Sequence, residues 1–252
     1  MPQHELKNFI IVIPARYNSS RFPGKPLAKI HSKSMLSLVW EKCVKAVGAA
    51  NVIIATDDKR IINHCKIGKM KCLLTSKKCL TGTDRIIEIS KKIKREFYIN
   101  VQGDEPLVKP GDIKKIIKAS IKNPDYIING MSKITNKDDY RNLNIPKLVI
   151  NMDNQLLFMS RAPIPANKKD QFVKAYKQVC IYSYPRDVLQ SKYIFNKKSE
   201  LEKIEDIEIL RFLEIGYKIK MVKLSQNSIA VDTPSDLKKV VSYLNKYNEK
   251  NL

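Results

Sequence analysis

The feature that most constrains this chain is an alternation of short apolar runs with helical patterns through its first half, which only a layered α/β sheet satisfies. Residues 8–13 form a continuous apolar run ended by Pro14, as a strand buried on both faces would. Met35, Leu36, Leu38, Val39, Cys43, Val44 and Val47 then repeat at helical spacing as far as Gly48. Residues 52–55 predict a second strand, with Thr56-Asp57-Asp58 at its end, and 71–75 a third. A helix over 83–94 carries Ile86, Ile89 and Ile93 on one side. A fourth strand over 96–101 closes in Gln102-Gly103-Asp104-Glu105-Pro106. The spacing is that of βαβ units, so a Rossmann-type, mainly parallel sheet is expected.

Beyond about residue 126 the pattern changes to strand-like runs at 125–134, 147–150, 156–160 and 179–184. This reads as a smaller α+β region packed beside the first sheet. A helix is expected over 204–215, apolar on more than one side and so covered twice, by the core or by a second subunit. A final helix starts at Thr233-Pro234-Ser235-Asp236, an N-cap followed by Pro and an acidic third position. Leu237, Val240, Val241 and Leu244 continue it.

The 252 residues suit one domain, and 43% hydrophobic against 29% charged residues is a globular composition. No stretch approaches the roughly 20 apolar residues of a membrane span. The opening run reads as a strand rather than a signal peptide, so a cytoplasmic protein is expected. The net charge of +22 raises the question of nucleic acid. Only nine of the 47 basic residues are Arg, the Lys are scattered, and no zinc-finger or RNP-like pattern accompanies them. A lysine-rich solvated surface that steers anionic substrates is the reading taken, without specific nucleic-acid binding. Five cysteines at 43, 65, 72, 79 and 180, with no CxxC, are expected as free thiols. His4, His31 and His64 are isolated, and His64 falls in a helical stretch as a surface or core residue rather than a metal ligand.

Chemistry concentrates where the first strand ends. Arg16, Arg21, Gly24 and Lys25 lie in one turn-rich stretch up to Pro26. In open α/β sheets ligands bind beyond the carboxyl ends of the strands. Three cations and a glycine there suit a triphosphate, although the stretch is no Walker A loop. The alternative is a polar surface turn that happens to be basic. Asp104 ends the fourth strand and Asp232 precedes the last helix. Two carboxylates on one rim suit Mg²⁺, which takes few protein ligands and leaves the others to phosphates. The alternatives are a turn cap for Asp104 and a helix N-terminus for Asp232.

Eight motifs stand in one order: Ile13-Pro-Ala-Arg16, Ser20-Arg21-Phe-Pro-Gly-Lys25-Pro26-Leu27, Ala55-Thr56-Asp57, Thr81-Gly82-Thr83-Asp84-Arg85, Asn100-Val101-Gln102-Gly103-Asp104-Glu105-Pro106, Ser160-Arg161-Ala-Pro-Ile-Pro165, Ile181-Tyr182-Ser183-Tyr184 and Val231-Asp232-Thr-Pro-Ser-Asp-Leu237. With them the chain resembles the 3-deoxy-manno-octulosonate (Kdo) cytidylyltransferases from about residue 8 to 245. The resemblance implies a glycosyltransferase-A-like fold and a homodimer built through the second half. It implies transfer of CMP from CTP to the anomeric hydroxyl of a 3-deoxy-2-keto sugar acid, with Mg²⁺ and release of pyrophosphate. Products of this kind feed lipopolysaccharide or capsule.

The resemblance also implies roles. Arg16, Lys25 and Asp104 would be catalytic, and Asp104 and Asp232 would hold the metal. Arg16, Arg21, Lys25, Gly82, Thr83, Arg85 and Gln102 would bind nucleotide. Arg161, Gln178, Tyr182 and Glu208 would bind the sugar, Arg161 through its carboxylate. Residues 8–125 would then be the nucleotide-binding half and 126–215 the sugar-binding and dimerisation half, with 216–252 returning to the core.

The chain departs from the family mostly on the sugar side. Gln178 and Cys180 stand for the family's His and Gly, and Ile209 for the Gln of Glu-Gln-Leu-Arg. Near the nucleotide, Cys79-Leu80 replaces His-Gln. Losing a hydrogen-bonding group from a site built around it changes discrimination by on the order of 10⁴-fold. A modified octulosonate is therefore an open acceptor, and a CMP-sialate-type or other sugar nucleotidyltransferase is the neighbouring alternative. From another class, a non-catalytic nucleotide- or nucleic-acid-binding protein is the reading to beat.

Overall fold

The computed structural model describes residues 8–249 apart from 20, 192–193, 195–196 and 226–228. His4, Ser20 of the basic turn and Ser228 before the last helix lie outside the described residues. The first half runs β1 (Phe9–Ala15), β2 (Lys29–Ile30), β3 (Lys33–Ser34), α1 (Met35–Val47), β4 (Val52–Thr56), α2 (Lys59–Ile67), β5 (Cys72–Leu74), α3 (Gly82–Lys92), β6 (Phe97–Val101) and α4 (Pro110–Lys122). The second half runs β7 (Ile127–Ile134), α5 (Lys137–Arg141), β8 (Lys147–Ile150), β9 (Leu156–Ser160), β10 (Ala175–Pro185), α6 (Arg186–Gln190), α7 (Glu200–Glu205), α8 (Leu210–Glu214), β11 (Ile219–Lys223) and α9 (Pro234–Glu249).

One sheet joins both halves in the order β11-β7-β10-β6-β1-β4-β5, with β8 and β9 branching from β10. Strands β6, β1, β4 and β5 are parallel, as the βαβ spacing requires. Strand β10 enters antiparallel between β6 and β7, and this splices the second half into the same sheet. All seven residues of β1 are buried. Ile11 and Ile13 pack under α1 and α4, while Ile10 and Val12 pack under α3, the alternation expected of a strand covered on both faces.

Besides the short β2, β3, α5 and α6, two larger elements escaped the periodicity. Helix α4 buries Ile113, Ile116 and Ile117 against the sheet, and β11 pairs in parallel with β7. The helix expected over 204–215 is corrected: α7 ends at Asp206, whose backbone is left-handed (φ 49°), and α8 restarts at Leu210. Glu205, at the break, turns its carboxylate to Ser160 Oγ and Arg161 N. Ile204 is consequently exposed, while Ile207, Ile209, Leu210 and Phe212 are buried. The double cover belongs to the second piece alone.

A small cluster of Ile30, Met35, Val231 and Val240 fastens α9 beside the β2–β3 hairpin. It brings the segment before α9 to the carboxyl rim of the parallel strands. No described helix is long and apolar enough to cross a membrane. All five cysteines are free. His64 on α2 sits with Nε2 2.8 Å from Ser34 Oγ and 3.0 Å from Ser37 Oγ, at the start of α1, and is a packing residue.

Candidate active site

The basic turn leaves β1 at Ala15 and folds back on itself. Gly24 donates its N–H to Tyr17 O (2.8 Å) from a left-handed conformation (φ 73°) that favours glycine. Lys25 and the buried Pro26 then form a short 3₁₀ turn. Arg60 of α2 stacks 3.3 Å over the Tyr17 ring and pairs with Asp58, so the turn is braced from outside. Arg16 is exposed and donates to Leu80 O (3.1 Å), which links the turn to the loop before α3.

Asp104 follows β6, and Val231 N donates to its carbonyl (2.9 Å), which sets Asp232 beside it. Gly103 lies so close to β1 that a Cβ there would stand 2.9 Å from Pro14 O. Lys25 Nζ lies 2.7 Å from Asp104 Oδ2 and 3.4 Å from Asp232 Oδ1, and Arg21 reaches Asp232 at 3.2 Å. Burial alone would lower the Lys25 ammonium, but Asp104, and after it Asp232, outweigh this and hold it above its usual range. The helix cap at the start of α9 is supplied by Thr233 and Asp236, which leaves the Asp232 side chain to the rim.

The metal implied by the resemblance can be tested against this donor set. Among the described residues no group of three or more His, Cys, Asp or Glu could hold a metal. Two carboxylates that already share one cation are nevertheless the sparse oxygen donor set Mg²⁺ uses when phosphates complete its shell. The residues fit the ion.

The loop before α3 is capped twice. Thr81 and Asp84 form a capping box. Glu208 accepts from Gly82 N (3.3 Å), Thr83 N (2.9 Å) and Thr83 Oγ1 (2.5 Å), so its carboxylate sits on the positive end of α3. Gln102 lies against Gly82, where a Cβ would meet its amide at 3.3 Å. Arg85 does not face the cleft: it is fully buried, 3.0 Å from Asp57 and 2.7 Å from Thr75 Oγ1. It braces the loop from inside. Arg211 pairs with Asp84 at 2.8 Å and with both oxygens of Glu202, all three buried.

On the acceptor side Tyr182 is buried and stacks on Tyr184, with ring centroids 5.9 Å apart. Gln178 donates to Asn129 Oδ1 (3.1 Å), and Asn129 spans the β10 bulge by donating to Val179 O and Ile181 O. Ile209 is in the core. The Arg161 guanidinium donates to the carbonyls of Glu205, Leu143 and Asp206, which leaves two of its five N–H groups. Beneath it Lys147, fully buried, donates to Asn142 O and Arg161 O. Burial, with the charge of Arg161, pushes the Lys147 ammonium down to about 8.

Sequence reasoning put Arg16, Arg21, Lys25, Asp104 and Asp232 on one rim; the fold joins Arg21, Lys25, Asp104 and Asp232 by ion pairs, while Arg16, at the end of β1, bonds to Leu80 instead. It missed Glu105, which lies inside a quoted motif and is buried behind Asp104. Burial, reinforced by Asp104, pushes its carboxyl up to about 8. It also missed Lys147, Arg60 and the Asp84–Arg211–Glu202 network. Asp84 and Arg211 stood in the motifs, but nothing in their spacing announces a pair so far apart in the chain.

A family model described as cytidylyltransferase matches residues 10–219. The 3-deoxy-manno-octulosonate cytidylyltransferase of Protochlamydia amoebophila is 35% identical, with 98% of this chain and 99% of that protein covered. That of Thermodesulfovibrio yellowstonii is 38% identical over 95% of this chain and 99% of its own. A solved structure of CMP:2-keto-3-deoxy-manno-octonic acid synthetase complexed with CTP superposes with a TM-score of 0.87 at 34% identity, covering 95% of this chain and 99% of that one. With a glycosyltransferase-A-like sheet and a cation-lined acidic rim in place, the chain belongs to the 3-deoxy-manno-octulosonate cytidylyltransferase family.

Proposed function

We propose that this chain transfers CMP from CTP to the anomeric hydroxyl of 3-deoxy-manno-octulosonate or a close analogue, releasing pyrophosphate. The observation that carries the reading is Lys25 held between Asp104 and Asp232, with Arg21 also on Asp232, on a chain of this family. The hydroxyl oxygen bonds to the α-phosphorus while the bond to the bridging oxygen of the β-phosphate breaks. The hydroxyl proton passes to solvent. Such a transfer rests on positioning and charge neutralisation and needs no covalent nucleophile.

Arg16, Arg21 and Lys25 take the triphosphate, and Arg16 and Lys25 offset charge at the α-phosphate. Asp104 and Asp232 hold Mg²⁺, whose contribution is Lewis-acid neutralisation of the phosphates. Gln102 and the backbone at Gly82 and Thr83 lie along the nucleoside, with Arg85 bracing from below. Arg161 presents its two remaining N–H groups to the sugar carboxylate, and Gln178, Tyr182 and Glu208 line the acceptor pocket. Residues 8–125 serve the nucleotide, 126–215 the sugar and a dimer contact, and 216–252 return to the core. Exposed Met152 and Leu157 around the β8–β9 hairpin support a homodimer through that half, which sedimentation tests. CTP as donor supports a cytoplasmic reaction.

The test is pyrophosphate release from CTP and Mg²⁺ with a panel of sugar acids, repeated with UTP, GTP and ATP. Release specific to CTP and an acidic sugar is expected; no release across the panel would refute the reading. One observation favours a modified octulosonate over Kdo itself. Gln178, in place of the family's His, donates its amide to Asn129, and Ile209, in place of the Gln, is buried, so the acceptor pocket differs from the family's at two hydroxyl contacts. A higher kcat/KM for the modified sugar decides it.

A further inference from the structure

Resting on the reading of Asp104 and Asp232 as the metal carboxylates, we propose that Lys25 competes with the metal for them, so that a divalent cation settles there only when a nucleotide draws Lys25 away. The ammonium is shared between the two carboxylates at 2.7 and 3.4 Å. Its side chain is the most enclosed of the three, 13% exposed against 27% for Asp104 and 39% for Asp232. A lysine ammonium is a compact point charge with three donors, and here it supplies the neutralisation that a metal would supply. Both cannot hold the same lone pairs.

The backbone allows an exchange. The buried Pro26 and the Gly24–Tyr17 hydrogen bond pin the turn, while the four-carbon side chain of Lys25 swings without moving it. What it lacks without nucleotide is a second anion to turn to. A triphosphate bound along Arg16 and Arg21 provides one. Arg21 cannot substitute as the competitor, because of the two carboxylates it pairs with Asp232 only and it is largely solvated. Metal and nucleotide then favour each other's binding, and by linkage each raises the affinity of the other by the same factor.

The proposal is tested with Mn²⁺, a carboxylate-binding stand-in for Mg²⁺. Free Mn²⁺ is counted by electron paramagnetic resonance, with and without CTP, and complexation by CTP in solution is measured separately. In the absence of nucleotide, Lys25→Met and Lys25→Gln should bind Mn²⁺ about tenfold tighter than the wild type or more, since a unit charge is removed at contact range. CTP should improve Mn²⁺ binding less in these variants than in the wild type. A gain of affinity cannot come from misfolding, and two variants guard against one of them being unstable. Equal Mn²⁺ affinity in wild type and both variants, with binding lost in Asp104→Asn, overturns the competition and leaves the metal assignment standing. Mn²⁺ binding unaffected by Asp104→Asn and Asp232→Asn overturns the metal assignment and the competition together.

Discussion

At the nucleotide end of the site the charged side chains are bonded mainly to one another, whereas at the acceptor end they are bonded largely to the backbone. Lys25, Arg21, Asp104 and Asp232 neutralise each other on a partly open rim. Glu208 and Arg161 are instead committed to amides and carbonyls of neighbouring segments. Side-chain pairs on a rim exchange partners by rotating, so they can trade each other for phosphate and metal. Groups that satisfy backbone donors and acceptors are part of the fold, and removing them leaves buried polar atoms unpaired. Substitutions at the first end should therefore cost activity, and at the second stability as well.

The largest effect expected is on turnover. Asp104→Asn should lower CMP transfer by about 10³-fold, measured as pyrophosphate release, with little change in thermal stability. A variant that loses most of its stability instead would break the comparison. Next comes Arg211→Met, which leaves Asp84 and Glu202 buried without their cation and should cost about 3–5 kcal/mol in urea unfolding. Glu208→Gln should cost about 1–3 kcal/mol and also raise the KM for CTP several-fold, because the Gly82–Thr83 backbone loses its anion. A KM effect confined to the sugar would sharpen the division between the two ends.

Lys147 supplies a pH test. Its folded-state value, about 8, lies below the ordinary 10.5. Between those values the unfolded chain binds more protons than the folded one, so this residue makes stability climb as pH rises through that window. Denaturation at pH 7.5 and 9.5 should show the climb, on the order of 1 kcal/mol, and Lys147→Met should lack it. The smallest effect is Arg60→Ala: losing an exposed stacking contact and ion pair should change the KM for CTP about twofold.

Much of the parallel sheet could be read from the chain because its signals are local. The run ended by Pro14 marks a strand, and the repeat from Met35 to Val47 marks a helix. The helix over 204–215 misled for a physical reason. Apolar spacing reports which side chains are buried, not whether the backbone between them stays helical. Here Glu205 is drawn to Ser160 and Arg161, and Asp206 takes a left-handed conformation. Arg85 misled similarly, since an arginine in a motif beside a ligand loop reads alike whether it faces the ligand or Asp57 beneath it.

Sequence alone determined the fold class, the family motifs and the supply of cations and carboxylates at the ends of strands, because those follow from periodicity and residue type. Only the tertiary structure decided which charges meet. The Val231–Asp104 backbone bond and the cluster around Ile30, Met35 and Val240 set Asp232 on the rim, and the Gly24 turn aims Lys25 between the two carboxylates. Pairing between charges distant in the chain depends on the geometry of closure, and local pattern carries no information about that distance.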